Sequence, residues 1–371
     1  MIARERTLAW LEPLLLALLN LVLASAVAAL VVWGIGQDPW QVLRVMVQGA
    51  LGSQRGLGYT LYYATTFVFT GLAVAVAFHA GLFNIGGEGQ AILGGLGAGL
   101  LALALAPHLN AWLMLPLMVL AAALAGLAWA FVPALLQAWR GSHVVITTIM
   151  FNFLASSLLA YLLVNWLKPP GSMAVESAAF APSARLPRVH ELLAWLGLDW
   201  ASSPLNLSVL LALLAVWAVH ALLHHARMGL RLRTVGQSAG AAAYAGIRPE
   251  RQVLLAMSIS GALAGLVGVN EIAGVSGRLL LDYVAGAGFT GIAVALMGRN
   301  QPLGVLLASL LFGALFQGGA EVAFEVRGFT RDMVVALQGL LVFFSGAMSL
   351  ALAPWLSRRL AAWWPHGGGH G

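Results

Sequence analysis

Residues 57–78, which read LGYTLYYATTFVFTGLAVAVAF, decide the fold class. They carry no charged side chain and match the ~20 apolar residues that an α-helix needs to cross a bilayer. A glycine-rich stretch, HAGLFNIGGE at 79–88, separates them from a second apolar run, GQAILGGLGAGLLALALA at 89–106. Two membrane-spanning helices joined by a short break are therefore predicted here.

Apolar runs of this kind recur along the chain, and they predict about ten spans. The expected fold class is all-α, a polytopic transmembrane helical bundle that forms a single membrane domain over residues 1–371. The predicted spans are residues 11–35, 57–78, 89–106, 112–138, 144–167, 205–224, 253–275, 283–297, 303–320 and 333–352.

The composition excludes most soluble functions. Charged residues make up 9% of the 371 residues, whereas a soluble domain carries about 25%. So few charges cannot cover the surface of a soluble enzyme or of a nucleic-acid-binding domain. Cysteine is absent, which removes thiolate metal sites and cysteine nucleophiles. The high glycine content, 43 residues, is typical of closely packed membrane helices.

The distribution of arginines predicts the orientation in the membrane. Arg4 and Arg6 precede the first span and favour a cytoplasmic N-terminus, and ten alternating spans then return the C-terminus to the cytoplasm. In this arrangement the inner segments are net basic and the outer segments slightly acidic. A long external loop is expected at 168–204, and a long cytoplasmic loop at 225–252 holds five arginines.

The first informative polar segment is GLFNIGGEGQ at 81–90. Its glycines break the helix, and backbone groups freed at membrane depth need partners from protein or water. Asn84, Glu88 and Gln90 bring polar side chains to the same place, an arrangement typical of a transport pathway. The alternative is a tight turn at the cytoplasmic interface with a solvated Glu88.

Other polar residues lie within the predicted spans. Asn152 and Gln317 are placed deeply enough to contact a polar solute or to hydrogen-bond a neighbouring helix, and we include both in the predicted substrate pathway. Glu271 and Glu321 lie near the outer ends of their spans, where an interfacial position is expected for each.

The second informative segment is GLRLRTVGQSAGAAAYAGI at 229–247. Ser238 can cap a short helix through the alanines, and Gly246 can end it. The residues before Gly236 are expected to form a basic strand or coil. The alternative, a basic loop that only sets membrane topology, explains the arginines but not the capped alanine helix.

The two segments together resemble permease subunits of ATP-binding-cassette (ABC) importers, in the branch that takes up nucleosides and simple sugars. The match at 81–90 is specific, the match at 229–247 is shared more widely among importer permeases, and the resemblance extends over about 56–350. It implies that the chain forms the translocation path for a nucleoside or a related small polar solute. A simple sugar is the alternative.

The resemblance also implies the partners. Residues 236–247 would form the coupling helix that docks on a separate ABC ATPase subunit. A second permease in a heterodimer, an external solute-binding protein and a multi-pass position among the lipids of a bacterial inner membrane are implied as well. The residues assigned to ATPase coupling are Arg231, Arg233, Gly236, Ala242, Ala243 and Gly246.

The energy source is expected on another chain. A P-loop requires a Gly-Lys-Ser/Thr sequence, and the single lysine, Lys168, is followed by proline. The chain is therefore predicted to be no enzyme and to bind no cofactor itself, with ATP and Mg²⁺ on the partner. His220 and His224 lack a nearby carboxylate, so no metal site is predicted. The competing class is a stand-alone ion-coupled transporter, for which Glu88 is the one candidate carboxylate.

Overall fold

The structure is a computed structural model that describes residues 22–23, 25–330, 333–337, 339–340 and 343. Its elements in this part of the chain are helical, which confirms the all-α prediction. In chain order the helices are α1 (Ser25–Gly34), α2 (Pro39–Leu51), α3 (Gln54–His79), α4 (Gly87–Leu105), α5 (Ala111–Arg140), α6 (Val144–Leu162), α7 (Val189–Trp195), α8 (Ser208–His225), α9 (Arg227–Gln237), α10 (Ala239–Tyr244), α11 (Pro249–Gly265), α12 (Ala287–Met297) and α13 (Pro302–Glu325).

Two of these helices continue in a wider, π-helical form. Residues Leu163–Leu167 extend α6, and the π-helix Val269–Ser276 follows α11. Including these extensions, seven helices of the described chain are long and apolar enough to cross a membrane, judged by length and composition. They coincide with seven of the ten predicted spans.

The three other predicted spans do not contain a described helix of spanning length. Span 283–297 contains the 11-residue α12, which is shorter than a bilayer is thick. Spans 11–35 and 333–352 lie largely outside the described residues. The count of ten spans, the cytoplasmic termini and the single domain therefore stay predictions.

Contacts divide the chain into two compact units. The larger unit is Leu51–Ala314, and the described residues before and after it form the other. In the larger unit α3 is buried along most of its length, because α8, α11 and α12 pack around it. The helices α4 and α11 pack in turn against α5. A helix surrounded by protein can be apolar on every side, as the sequence of α3 is.

Glycines allow α4, α5 and α11 to approach closely. Gly126 of α5 faces Gly261 and Gly265 of α11, and Gly94 of α4 faces Gly265 from another side. A Cβ atom at any of these positions would overlap the neighbouring backbone. Helices without side chains at their crossing gain more dispersion contacts. The packing role predicted from the glycine content is therefore confirmed here.

The smaller unit has an apolar cluster of its own. It joins α1, α2 and α13 with residues that follow α13. The α2 helix forms where the sequence is amphipathic, with Val42 and Ala50 buried and Trp40 exposed. The buried members of the cluster are Val32, Val42, Val322, Val326, Phe329, Val334 and Leu337.

The predicted external loop 168–204 is tied to the segment that follows the π-helix. Backbone N–H groups of Phe180 and Leu186 donate to the carbonyls of Gly277 and Ala273 at 2.7 and 2.9 Å. An ion pair between Arg278 and Glu176 adds to these bonds. The short helix α7 lies within this loop. This attachment fixes the loop against the C-terminal end of the π-helix.

Candidate functional site

Asn84 lies at the centre of the glycine-broken segment between α3 and α4. Its amide nitrogen donates to Gln90 Oε1 at 2.9 Å and to Ser260 Oγ of α11 at 2.8 Å. Its oxygen accepts from the N–H of Gly86 at 2.9 Å and from Gln90 Nε2 at 3.1 Å. Ser260 in turn donates to the carbonyl of Ala73 in α3 at 2.6 Å. Every hydrogen-bonding position of Asn84 is therefore filled.

Asn152 of α6 satisfies the broken backbone itself. Its amide nitrogen donates to the carbonyl of Ile85 at 2.9 Å, and its oxygen accepts from the N–H of Gly89 at 2.8 Å. Both backbone groups lie where no α-helical partner is available, and orphaned groups at this depth are unfavourable. Asn152 therefore supplies the hydrogen bonds that another turn of helix would have given to these two backbone groups.

Glu88 holds the start of the short helix α12. Its two carboxylate oxygens accept from the N–H groups of Gly286 and Gly288 at 2.9 and 2.8 Å. A carboxylate at a helix N-terminus is favoured by hydrogen bonding and by the helix dipole. Glu88 is only 7% exposed. The alternative in which Glu88 is solvated at the interface is therefore wrong.

These bonds define what we name the polar hub, the group Asn84, Glu88, Gln90, Asn152 and Ser260. The hub connects α3, α4, α6, α11 and α12. Four of the five residues predicted for the substrate pathway belong to it, and whether they contact solute stays a prediction.

The fifth predicted pathway residue, Gln317, lies on α13 in the smaller unit. Its amide nitrogen donates to Glu321 Oε1 on the same helix at 3.0 Å.

A second carboxylate, Glu271, lies in a polar cluster between the π-helix and α3. It sits on the π-helix and accepts hydrogen bonds from the hydroxyls of Tyr62 and Thr66 on α3, the latter at 2.7 Å. Its side chain is only partly exposed.

Asn270 extends this second cluster toward α8. Its amide nitrogen donates to Thr66 at 2.8 Å, while its oxygen accepts from Asn206 at 3.0 Å and from Ser208 at 2.6 Å. We name Tyr62, Thr66, Asn206, Ser208, Asn270 and Glu271 the Glu271 cluster. The sequence signal for it was the four-residue spacing of Tyr62 and Thr66, which places both hydroxyls on one face of α3. A π-helical turn often marks a functional site in a helix.

The basic residues before Gly236 form the helix α9, so the prediction of a strand or coil is wrong. Leu232 and Val235 are buried one turn apart, while Arg231 points outward and Arg233 is half-buried. Packing of Leu232 and Val235 against other helices stabilises α9. The basic residues around them gave no sign of this packing in the sequence.

Gly236, the penultimate residue of α9, touches the turn that ends α3. A Cβ atom at Gly236 would overlap the carbonyl oxygen of His79. Opposite it, Gly81 has a positive φ of 74°, and a Cβ there would lie 3.2 Å from Gly236 Cα. The two backbones meet at this point, immediately before the polar hub.

The predicted short helix forms as α10. Ser238 Oγ accepts from the N–H of Ala241 at 3.2 Å, and Gly246 follows the helix with a φ of 76°. Ala242 is fully buried, whereas Ala243 is exposed and Tyr244 is 98% exposed. Ala243 and Tyr244 therefore form the face that α10 presents to its surroundings.

Metal-binding side chains do not gather in the described part of the chain. It contains no group of three His, Cys, Asp or Glu residues placed to hold an ion. The rings of His220 and His224 stack with their centroids 4.5 Å apart at the end of α8.

Comparison with known proteins shows the family to which this helical membrane protein belongs. Residues 56–346 match a family described as "Branched-chain amino acid transport system / permease component". The chain belongs to this family, and it is a multi-pass membrane permease of an ABC importer, not an enzyme. No solved structure matches the chain.

Three relatives are similar over most of both chains. The glucose ABC transporter permease protein TsgB13 of Haloferax volcanii is 37% identical, over 88% of this chain and 85% of its own. The guanosine ABC transporter permease protein NupP of Bacillus subtilis is 34% identical, over 92% and 96%. The nucleoside ABC transporter permease protein NupB of Lactococcus lactis is 30% identical, over 90% of each chain.

Replacing Asn152 with leucine should destabilise the larger unit, because the carbonyl of Ile85 and the N–H of Gly89 lose their partner. Each orphaned group costs ~1–3 kcal/mol, and the thermal unfolding midpoint of the protein in detergent should fall. The control is Asn165→Leu, at an exposed asparagine that bonds only its own turn. Equal midpoints for the two variants would contradict the role given to Asn152.

Proposed function

We propose that this chain forms the translocation path for a nucleoside in the inner membrane of a bacterium. Transport is driven by ATP bound to a partner ATPase. The observation that carries this proposal is the backbone contact of Gly236 with His79 and Gly81. It joins the segment assigned to ATPase docking to the break between α3 and α4, from which the polar hub is built.

The contact at Gly236 supports a simple mechanical route. A partner that grips the exposed face of α10, at Ala243 and Tyr244, would move α9 with it, because Ser238 joins the two helices directly. The end of α9 would then displace the turn at Gly81 and, through Asn84 and Glu88, the helices that the hub holds. Rigid helices moving about such a pivot expose a path to one side and then to the other.

The Glu271 cluster supports a solute rich in hydroxyl groups. Carboxylate oxygens of Glu271 accept hydroxyl hydrogen bonds from Tyr62 and Thr66 in this conformation. The hydroxyls of a ribose would satisfy the same acceptors, with hydrogen bonds to a charged group being the stronger kind. Relatives whose names specify guanosine or nucleosides agree with a nucleoside as the solute.

A simple sugar is the second candidate. The relative TsgB13, whose name specifies glucose, is 37% identical. A hexose offers the same hydroxyl groups to Glu271 as a ribose does. The two candidate solutes therefore differ in the nucleobase, which a hexose lacks. The uptake measurement below separates them.

The partners proposed are an ABC ATPase, an external solute-binding protein and a second, different permease. Two relatives from Lactococcus lactis, NupB and NupC, are both named nucleoside ABC transporter permease proteins, and they are 30% and 29% identical to this chain. Two permeases of one specificity in one organism support a heterodimeric pair.

Uptake of labelled guanosine and glucose by proteoliposomes tests the function. The chain is reconstituted with its proposed partners, an ABC ATPase, a second permease and a solute-binding protein. Guanosine uptake that requires both ATP and the binding protein is expected, with glucose transported poorly. Preferential uptake of glucose would show that the solute is a simple sugar and not a nucleoside. Uptake by this chain alone, driven by a proton or sodium gradient, would refute an importer subunit.

Replacing Glu271 with glutamine should reduce guanosine uptake about tenfold or more, because a hydrogen bond to a charged group contributes about 1.5–3 kcal/mol. The matched control is Glu250→Gln, at an exposed glutamate in the first turn of α11. ATPase activity and thermal midpoint are measured alongside. Equal uptake by the two variants would exclude Glu271 from the solute path.

Replacing Gly236 with alanine should uncouple ATP hydrolysis from uptake, because the added methyl group pushes the end of α9 away from His79. ATP hydrolysis by the assembled complex should then proceed with much less guanosine carried. Gly34→Ala, outside the segment assigned to ATPase docking, is the control, since a Cβ atom there meets no atom within 4 Å. Full coupling in Gly236→Ala would contradict the mechanical route.

A further inference from the structure

A cleft of about 410 Å³ opens beside the predicted external loop, apart from both the polar hub and the Glu271 cluster. It lies where the first turns of α3, the segment before α8 and the end of the π-helix meet. Its volume falls within the range of small-molecule sites. The residues that line it are Arg55, Tyr59, Arg188, Ala201, Ser202, Ser203, Pro204 and Val275.

Two arginines and no carboxylate line the cleft, and the nearby Glu191 accepts a hydrogen bond from the backbone N–H of Arg188 at 3.0 Å. Arg55 and Arg188 both line it, and in the described chain neither forms an ion pair. One guanidinium nitrogen of Arg188 donates to the carbonyl of Val275 at 3.4 Å, which leaves its other donors available. Arg55 lies in the first turn of α3, where the helix dipole is already positive. Two cations in such a position favour a bound anion.

Ser203 adds a buried hydroxyl to the residues that line the cleft. Its side chain is 3% exposed, and its hydroxyl has no hydrogen-bond partner among the described residues. A buried hydroxyl without a partner is unfavourable and uncommon. Gly58 leaves the space in which this hydroxyl sits, because a Cβ atom there would overlap Ser203 Oγ.

We propose that this cleft binds a small organic anion that carries a phosphate or a carboxylate. The guanidinium groups of Arg55 and Arg188 bind the oxyanion, since a planar fork of N–H donors matches both groups. Ser203 donates its hydroxyl to the same oxyanion. The ring of Tyr59, 5.8 Å from the Arg55 guanidinium, offers a face to the organic part. This anion site does not depend on which solute the permease transports.

The charge arrangement separates this site from the Glu271 cluster. A carboxylate such as Glu271 accepts hydrogen bonds from neutral hydroxyls and repels phosphate. The arginines of the cleft, Arg55 and Arg188, attract phosphate. The two sites therefore bind different chemical classes, although Val275 of the cleft lies on the same π-helix as Glu271.

Equilibrium binding of radiolabelled guanosine monophosphate to the full-length chain tests the proposal. Binding is measured in detergent micelles and is competed with inorganic phosphate, with succinate and with guanosine. We expect phosphate or succinate to displace the probe and guanosine to leave it bound. Displacement by guanosine alone would overturn the oxyanion assignment.

Variants locate the bound anion. Arg55→Gln and Arg188→Gln should each weaken binding at least about tenfold, as expected for loss of a charge-assisted hydrogen bond, and Gly58→Ala should weaken it by displacing Ser203. Arg185→Gln is the matched control, at an exposed arginine of the same loop that does not line the cleft. Thermal midpoints establish that each variant is folded. Absence of binding, or binding that both arginine variants retain, would overturn the proposal.

A second arm identifies the source of the anion. Binding is repeated in nanodiscs of phosphatidylglycerol, whose headgroup carries a phosphate. Probe binding in both micelles and nanodiscs indicates a soluble anion as the natural ligand. Binding in micelles alone indicates that a lipid phosphate holds the same site.

Discussion

Backbone groups that are released inside a membrane must find partners in the protein, and the larger unit is organised around this requirement. The break between α3 and α4 leaves an N–H and a carbonyl that Asn152 satisfies. Glu88 satisfies the start of α12 in the same way. Because Asn152 and Glu88 are buried in the protein, the alternative to each bond is an unpaired group. Five helices are therefore held at one place by bonds that none of them can replace internally.

The break is also the place where the end of α9 meets the turn after α3. Glycine is present on both sides of that contact, Gly81 and Gly236, because the two backbones approach each other without side chains between them. A displacement of α9 would thus reach the polar hub through main-chain atoms, which deform less than side chains do. In the proposed mechanism the same glycines that interrupt the helix also transmit the movement, and neither role requires a charged residue.

Local signals in the sequence were sufficient for several elements. Seven apolar runs became helices of spanning length, and Ser238 caps α10 as its position predicts. One expectation of secondary structure failed, because the residues before Gly236 form a helix whose Leu232 and Val235 are buried by tertiary contacts. Such contacts join residues that are far apart in sequence, as Tyr62 and Glu271 also are.

The sequence by itself determined that this protein is a helical membrane protein, because hydrophobic length and glycine breaks are local properties of the chain. The resemblance of residues 81–90 and 229–247 to ABC importer permeases then indicated its class. The sequence also identified Asn84, Glu88, Gln90 and Asn152 as unusual polar residues at membrane depth. Only the tertiary structure decided which groups they bond, that Glu271 joins a second cluster, and that Arg55, Arg188 and Ser203 share one cleft. Hydrogen bonds and charge pairs depend on distances of a few ångströms between remote segments, and helix packing alone sets those distances.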